Sequence, residues 1–160
     1  MRPLVATGLL AALLAAAAAP PAYAAGSTET APAPSRPRNP DFDAGKAAVN
    51  RGDFAGAIPL LRKATTVDAR NPEAFNLLGY ATRKSGDARG SLASYQQALA
   101  LDPKHLGAHE YIGEAYLMLD DIASAQQHLA RLDQLCVFGC REHRMLKDAI
   151  AAYQRGQKPR

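Results

Sequence analysis

The sequence predicts an all-α fold built as a stack of paired helices, and three observations predict it. First, small and turn residues recur every 34 positions: Gly45, Gly79 and Gly113, then Gly52, Gly86 and Asp120, then Ala57, Ser91 and Ala125. Leu61, Tyr95 and Leu129 keep the same interval, as do Ala64, Ala98 and Leu132. One period held at five positions across three copies marks a repeated supersecondary unit. Second, from Asp41 onward Ala, Leu and charged residues fall at helical spacing between frequent turns, and no run of alternating β-branched residues occurs. Third, Asn39-Pro40 and Asn71-Pro72 each set a capping side chain before a proline at the first helical position.

Residues 1–40 stand outside this pattern. Met1-Arg2 is a basic start, Leu4 to Ala19 is apolar and uncharged, and Ala22-Tyr23-Ala24 fits the small-x-small rule for signal peptidase. Residues 1–24 therefore read as a signal peptide and Ala25 as the mature start. The apolar run is too short and wrongly flanked for a membrane span, nothing later is apolar enough to span, and no Cys near the cut offers a lipid anchor. The expectation is an exported protein of the periplasm of a Gram-negative bacterium. Residues 25–40, with four prolines and only small or polar side chains from Gly26 to Pro40, read as a flexible tether. A net charge of +4 is a solvated surface rather than a nucleic-acid footprint.

The folded part divides at about 41–70, 71–105 and 106–140. In the first copy Asn39-Pro40-Asp41 opens the first helix, Gly52-Asp53 makes the turn, and Pro59 removes a backbone donor from the second helix, where a bend is expected. The middle copy reads Phe75-x-x-Leu78-Gly79 in its first helix and Ser91-x-x-x-Tyr95-x-x-Ala98 in its second, closing with Asp102-Pro103. The third reads His109-x-x-Ile112-Gly113-x-x-Tyr116 and Ala125-x-x-x-Leu129. Gly79 and Ser91 are small where two helices cross closely, and Phe75, Leu78, Tyr95 and Leu99 fill the space around the crossing. From Arg141 a stripe of Met145, Leu146, Ala149, Ile150 and Tyr153 predicts a seventh, capping helix over 141–156, with Gly156 as its stop and a disordered tail at 157–160. These residues and their period resemble the tetratricopeptide repeat family. The resemblance implies a right-handed superhelical stack of three helix pairs and a protein that binds a protein or peptide partner.

Little in the sequence points to catalysis. His109-Glu110 begins like the zinc-protease helix motif, but Gly113 stands where its second His belongs. No nucleophile elbow, Walker loop or dinucleotide fingerprint occurs, so neither an enzyme nor a cofactor is expected. His105 reads as a turn residue, His109 as a packing residue and His128, beside Gln126 and Gln127, as a surface residue. Cys136-Val-Phe-Gly-Cys140 reads as a structural disulfide across the turn before the capping helix, as export would favour. The alternative joins Cys136 and Cys140 to His143 and Met145 as soft ligands for copper(I), or as a thiol-redox site in an assembly factor.

In proteins of the family resembled here, the first helix of each pair lines a concave groove. Carried over by position, the groove would present Phe42, Lys46, Val49 and Asn50, then Asn76, Tyr80, Arg83 and Lys84, then Glu110, Glu114, Leu117 and Met118. Tyr80 is the expected apolar anchor, with Arg83 and Lys84 steering an acidic segment. Leu117 and Met118 either face the groove or lie under the capping helix. The carboxylate clamp of chaperone-binding members does not carry over: Phe42, Gly107 and Tyr111 hold three of its places and only Lys46 is basic.

Overall fold

The computed structural model describes residues 39–159; the expected signal peptide, nearly all of the expected tether and Arg160 lie outside the described residues. Seven helices follow one another: α1 Pro40–Asn50, α2 Phe54–Val67, α3 Pro72–Lys84, α4 Ala88–Leu101, α5 Leu106–Met118, α6 Ile122–Leu135 and α7 Arg141–Gln154. No strand occurs among the described residues.

Each start has a local cause. Asp53, Asp87 and Asp121, one period apart, open the second helix of each pair. Their carboxylates accept the backbone N–H of Gly56 at 2.9 Å, Gly90 at 2.7 Å and Ser124 at 3.0 Å. Such caps supply acceptors for amides that a first helical turn leaves unpaired. The preceding turns need a left-handed residue, met by Gly52 at φ 76° and Gly86 at φ 100°. In the third copy Asp120 takes that conformation at φ 64°. Its side chain is held by the Tyr153 hydroxyl at 2.9 Å and by Lys158 Nζ at 2.6 Å. Beyond α7, Gln157 donates its N–H to Ala152 O and Lys158 reaches Asp120. α2 runs through Pro59; both Pro59 and Ala55, whose carbonyl it leaves without a donor, are exposed to water.

Close helix crossings set the stack. A Cβ on Gly45 would lie 2.7 Å from Leu61, and one on Gly79 would lie 2.7 Å from Tyr95, so each glycine receives the large residue sixteen places on. The third crossing departs from the period. A Cβ on Gly113 would lie 2.6 Å from Leu146 of α7, so the capping helix supplies the side chain that rides on this glycine. Leu146 and Ile150 are buried with Leu117, Ala125 and Leu132 in one cluster. The polar pair His109 and His128 belongs to this interior as well. His109 Nε2 lies 3.2 Å from the Pro103 carbonyl, which can only accept, so Nε2 carries the proton and Nδ1 accepts from His128 Nδ1–H at 2.9 Å. His128 is therefore a half-buried partner of His109, stacked on Tyr116, rather than a surface residue, and burial with the neighbouring His109 lowers its pKa to about 4.

Cys136 and Cys140 are joined by a disulfide with Cα atoms 5.5 Å apart, closing a loop in which Gly139 has φ 80°. Cys140 also caps α7, its Sγ accepting from His143 N at 3.4 Å. The loop tip, Val137 and Phe138, is exposed. Closing so short a loop constrains the unfolded chain little, so changing both Cys to Ser should cost about 2 kcal/mol or less. The urea midpoint measured with and without reductant checks this; a loss well beyond that figure would show that the bond holds α7 in place.

Candidate inner-face site

The first helices α1, α3 and α5 lie side by side along one face, α1 touching α3 and α3 touching α5, and α7 packs against α5 at the end of the row. Between α3, α5 and α7 lies a cleft of about 240 Å3. From α3 it is lined by Tyr80, Arg83 and Lys84, from α5 by Glu110, Tyr111 and Glu114, and from α7 by Arg141 and Met145.

The walls are a set of rings and charges already committed to one another. Tyr80 meets Phe54 edge-on with centroids 5.7 Å apart and leans on Tyr111 at 4.8 Å. The Arg83 guanidinium sits 5.6 Å from the Tyr80 ring centre and 5.8 Å from that of Tyr111, within cation–π range of both. Its Nη2 lies 2.7 Å from Glu114 Oε2, and its Nε donates to the Tyr95 hydroxyl at 3.4 Å. Burial works against the Arg83 charge, yet Tyr95 and Glu114 outweigh it and hold the guanidinium above its ordinary pKa. Burial, with Glu110 next in effect, lifts the Tyr111 hydroxyl to about 12.

Glu110 is the unusual member. It is 3% exposed, and its Oε1 is buried without a hydrogen-bond partner. Burial first, then the like charges of Glu114 and Glu142, raise its pKa from 4.5 to about 7, against the weaker pull of Arg141 and Arg83. One period earlier, Asn76 is also 3% exposed, and its Oδ1 is the second buried oxygen without a donor. Its Nδ2 donates to Glu73 Oε2 at 3.1 Å, which fixes the amide's orientation. Two unanswered acceptors thus occupy the same register position of α3 and α5.

A raised acid makes stability depend on pH in a defined sense. The contribution of Glu110 is present below pH 4.5 and is lost as pH rises through about 7, because the unfolded carboxyl ionises first and the folded one resists. Glu110→Gln, which cannot ionise, should gain on the parent between pH 5 and pH 8 by about 1–2 kcal/mol after allowance for solvent screening. Urea denaturation of both proteins at the two pH values checks this; parallel curves would mean that Glu110 is ordinarily solvated.

The residues expected in the groove divide under this geometry. Tyr80, Lys84, Glu110 and Glu114 line the cleft, and Lys46 and Asn50 are exposed on α1. Leu117 is fully buried with Leu132, Leu146 and Ile150, so of the two places open to it in the sequence it takes the one under α7. Arg83 is 2% exposed and paired internally, so it is part of the wall rather than a free steering charge. Phe42 and Val49 pack on the core around Ala48 and Leu61. Tyr111, which the sequence set at a place of the absent clamp, joins the cleft, and so do Arg141 and Met145, which were not expected there because they depend on where α7 docks. The alternative soft-ligand set does not converge. The two sulfurs are bonded to each other, His143 Nε2 pairs with Asp133 at 2.7 Å, and Met145 Sδ accepts from Arg141 Nε at 3.2 Å. Among the described residues no group of three or more His, Cys, Asp or Glu could hold a metal ion, and no helix is long and apolar enough to cross a membrane.

Paired helices, glycine crossings at one period and an inner face left to first helices define a helical-repeat protein. Two tetratricopeptide repeat models match the chain, one over residues 42–88 and one over 82–135, and the chain belongs to the tetratricopeptide repeat family. Cellulose synthase operon protein C of Escherichia coli K12 is 41% identical over 59 residues, which is 37% of this chain and 5% of that protein. The TPR repeat-containing thioredoxin TTL4 of Arabidopsis thaliana is 27% identical over 86 residues, 54% of this chain and 13% of that one. The chain thus spans only a small part of these curated relatives. Among solved structures, the Yersinia enterocolitica type III secretion chaperone SycD in complex with a peptide of the translocator YopD superposes with TM-score 0.62 at 16% identity, covering 73% of this chain and 88% of SycD. MamA from Desulfovibrio magneticus RS-1 gives 0.58 at 22% identity, covering 59% of this chain and 54% of MamA. At these identities the likeness is one of fold.

Proposed function

We propose that this protein is a non-enzymatic scaffold, exported to the periplasm, that holds a segment of a partner protein against the inner face formed by α1, α3 and α5. The observation that carries the reading is the cleft of about 240 Å3 at this face, walled by the rings of Tyr80 and Tyr111 and by the charged side chains of Lys84, Glu110 and Glu114. The complex of SycD with a YopD peptide offers a parallel on the same fold. Export rests on the sequence of residues 1–24 and on the paired cysteines.

Tyr80 is the apolar part of the site, half-buried between Phe54 and Tyr111. Tyr80→Ala should weaken a captured peptide by roughly 1–3 kcal/mol while the helical circular dichroism is retained. Selection of a random peptide library on the immobilised protein, then titration of an enriched peptide against both forms, makes the test. Peptides insensitive to Tyr80→Ala but lost on changing Phe138 would place binding on the disulfide loop instead. Recovery of the protein from a periplasmic extract with Ala25 at its N-terminus tests the location.

A further inference from the structure

We propose that the cleft between α3, α5 and α7 selects an aspartate or glutamate side chain of the bound segment, whose carboxylate pairs with the Arg141 guanidinium on the α7 wall. The inference rests on the inner-face reading above and names the chemistry that this face recognises.

Three observations carry it. The first is the balance of charge that an entering group meets. Arg83, Lys84 and Arg141 line the cleft against Glu110 and Glu114. Arg83 and Glu114 answer each other at 2.7 Å, so that pair presents no net charge. Glu110 is 3% exposed and its Oε1 is buried, so little of its carboxyl can be reached from the cleft. Arg141 alone then makes the open side positive, and Lys84 is of the same sign. The second observation is the state of Arg141. It is exposed, its Nε donates to Met145 Sδ at 3.2 Å, and it makes no ion pair among the described residues. A thioether is a weak, uncharged acceptor, so it positions the side chain and leaves the guanidinium charge unanswered. The remaining N–H groups of that planar fork match the two oxygens of a carboxylate. The third is the wall beside it. The Tyr80 and Tyr111 rings, 4.8 Å apart, offer an apolar surface to the methylene groups of such a side chain. The Tyr111 hydroxyl, lifted to about 12, keeps its proton and is a donor rather than a competing anion.

The charged groups facing Glu110 are Glu114 from its own helix, Glu142 and Arg141 from α7, and Arg83 from α3. Lys84 lines the same cleft from α3. Burial first, then the like charges of Glu114 and Glu142, hold the Glu110 carboxyl up to about 7. A ligand carboxylate adds one more like charge, so Glu110 takes up a proton as the segment binds. The complex is therefore favoured where Glu110 is protonated, and binding weakens as pH rises. Between pH 6 and pH 8 the loss should be about fivefold, the figure for a bound carboxylate that moves a group titrating at about 7 to about 8.

The test uses a random dodecapeptide display library selected on the purified full chain. The enriched peptides are then titrated with amidated C-termini, so that only side chains supply carboxylates. The expected result is an Asp or Glu shared by the enriched peptides, at least about tenfold weaker binding when it is changed to Asn or Gln, and a similar loss with Arg141→Ala. The two losses should not add, because each removes the same contact. Arg141→Lys, which keeps the charge without the fork, should recover part of the loss. Glu110→Gln should abolish the pH dependence and bind about fivefold tighter than the parent at pH 8. Equal urea midpoints of the parent and the Arg141 variants, expected for an exposed side chain, verify that the cleft is intact. Enriched basic or neutral peptides, acidic peptides indifferent to Arg141→Ala, or binding that tightens from pH 6 to pH 8 would overturn the inference, while a response of those peptides to Tyr80→Ala would leave the inner face as the site. If the library enriches nothing, or no enriched peptide responds to Tyr80→Ala, the inner-face reading fails and this inference with it.

Discussion

Leu146→Asp should release α7 from the stack and lower stability by about 4 kcal/mol or more. Leu146 is fully buried and lies against Gly113, the one crossing glycine whose large partner comes from outside its own helix pair. A carboxylate there has no cation within the cluster of Leu117, Ala125, Leu132 and Ile150, and its desolvation is uncompensated. Loss of α7 would bare Leu117 and Leu132, both fully buried, and remove one wall of the cleft. Leu146→Met, which keeps volume and polarity, should cost less than about 1.5 kcal/mol. Urea unfolding compares the two, and limited proteolysis of the Asp variant should cut first between α6 and α7. An Asp variant as stable as the Met variant would mean that the three pairs are complete without their cap.

How much of this was legible in the sequence depends on whether a feature repeats. The 34-residue interval placed Gly45, Gly79 and Gly113 at helix crossings and the three turns before Asp53, Asp87 and Asp121, because local sterics and capping recur with the chain. The identity of the side chain over Gly113 was not legible. Leu129 holds the periodic place of Leu61 and Tyr95, yet Leu146 fills it, since a last pair has no following pair and α7 docks in its stead. The same break is why the sequence left Leu117 with two places, in the groove or under α7. Side-chain pairing was less legible still. Nothing in the sequence marks Arg83 as structural, and only its burial beside Tyr95 and Glu114 makes it so. Glu110 showed no sequence signal beyond its register with Asn76 and the like-charged Glu114 one turn on, because the largest cause of its raised pKa is burial, which only the packing of the helices sets.

Arg83→Ala should destabilise the protein by about 3–5 kcal/mol rather than act on association alone. The guanidinium is 2% exposed and answers four groups at once: the Glu114 carboxylate at 2.7 Å, the Tyr95 hydroxyl at 3.4 Å and the faces of Tyr80 and Tyr111. Truncation leaves a carboxylate beside a buried hydroxyl with no cation, and it opens a void beside the contacting rings of Tyr80 and Tyr111. Removing one member of a buried pair costs far more than replacing both, since the remaining charge stays desolvated. Arg83→Met with Glu114→Gln should therefore recover a large part of the loss, and the double-mutant cycle should show a coupling of about 1–3 kcal/mol. The surface-steering role expected from sequence makes the opposite forecast: Arg83→Ala near neutral in stability, with its effect confined to salt-dependent on-rates. Urea midpoints of the single and double variants decide between them. A cost below about 1 kcal/mol with no coupling to Glu114 would return Arg83 to the rim and detach it from the wall that frames Glu110.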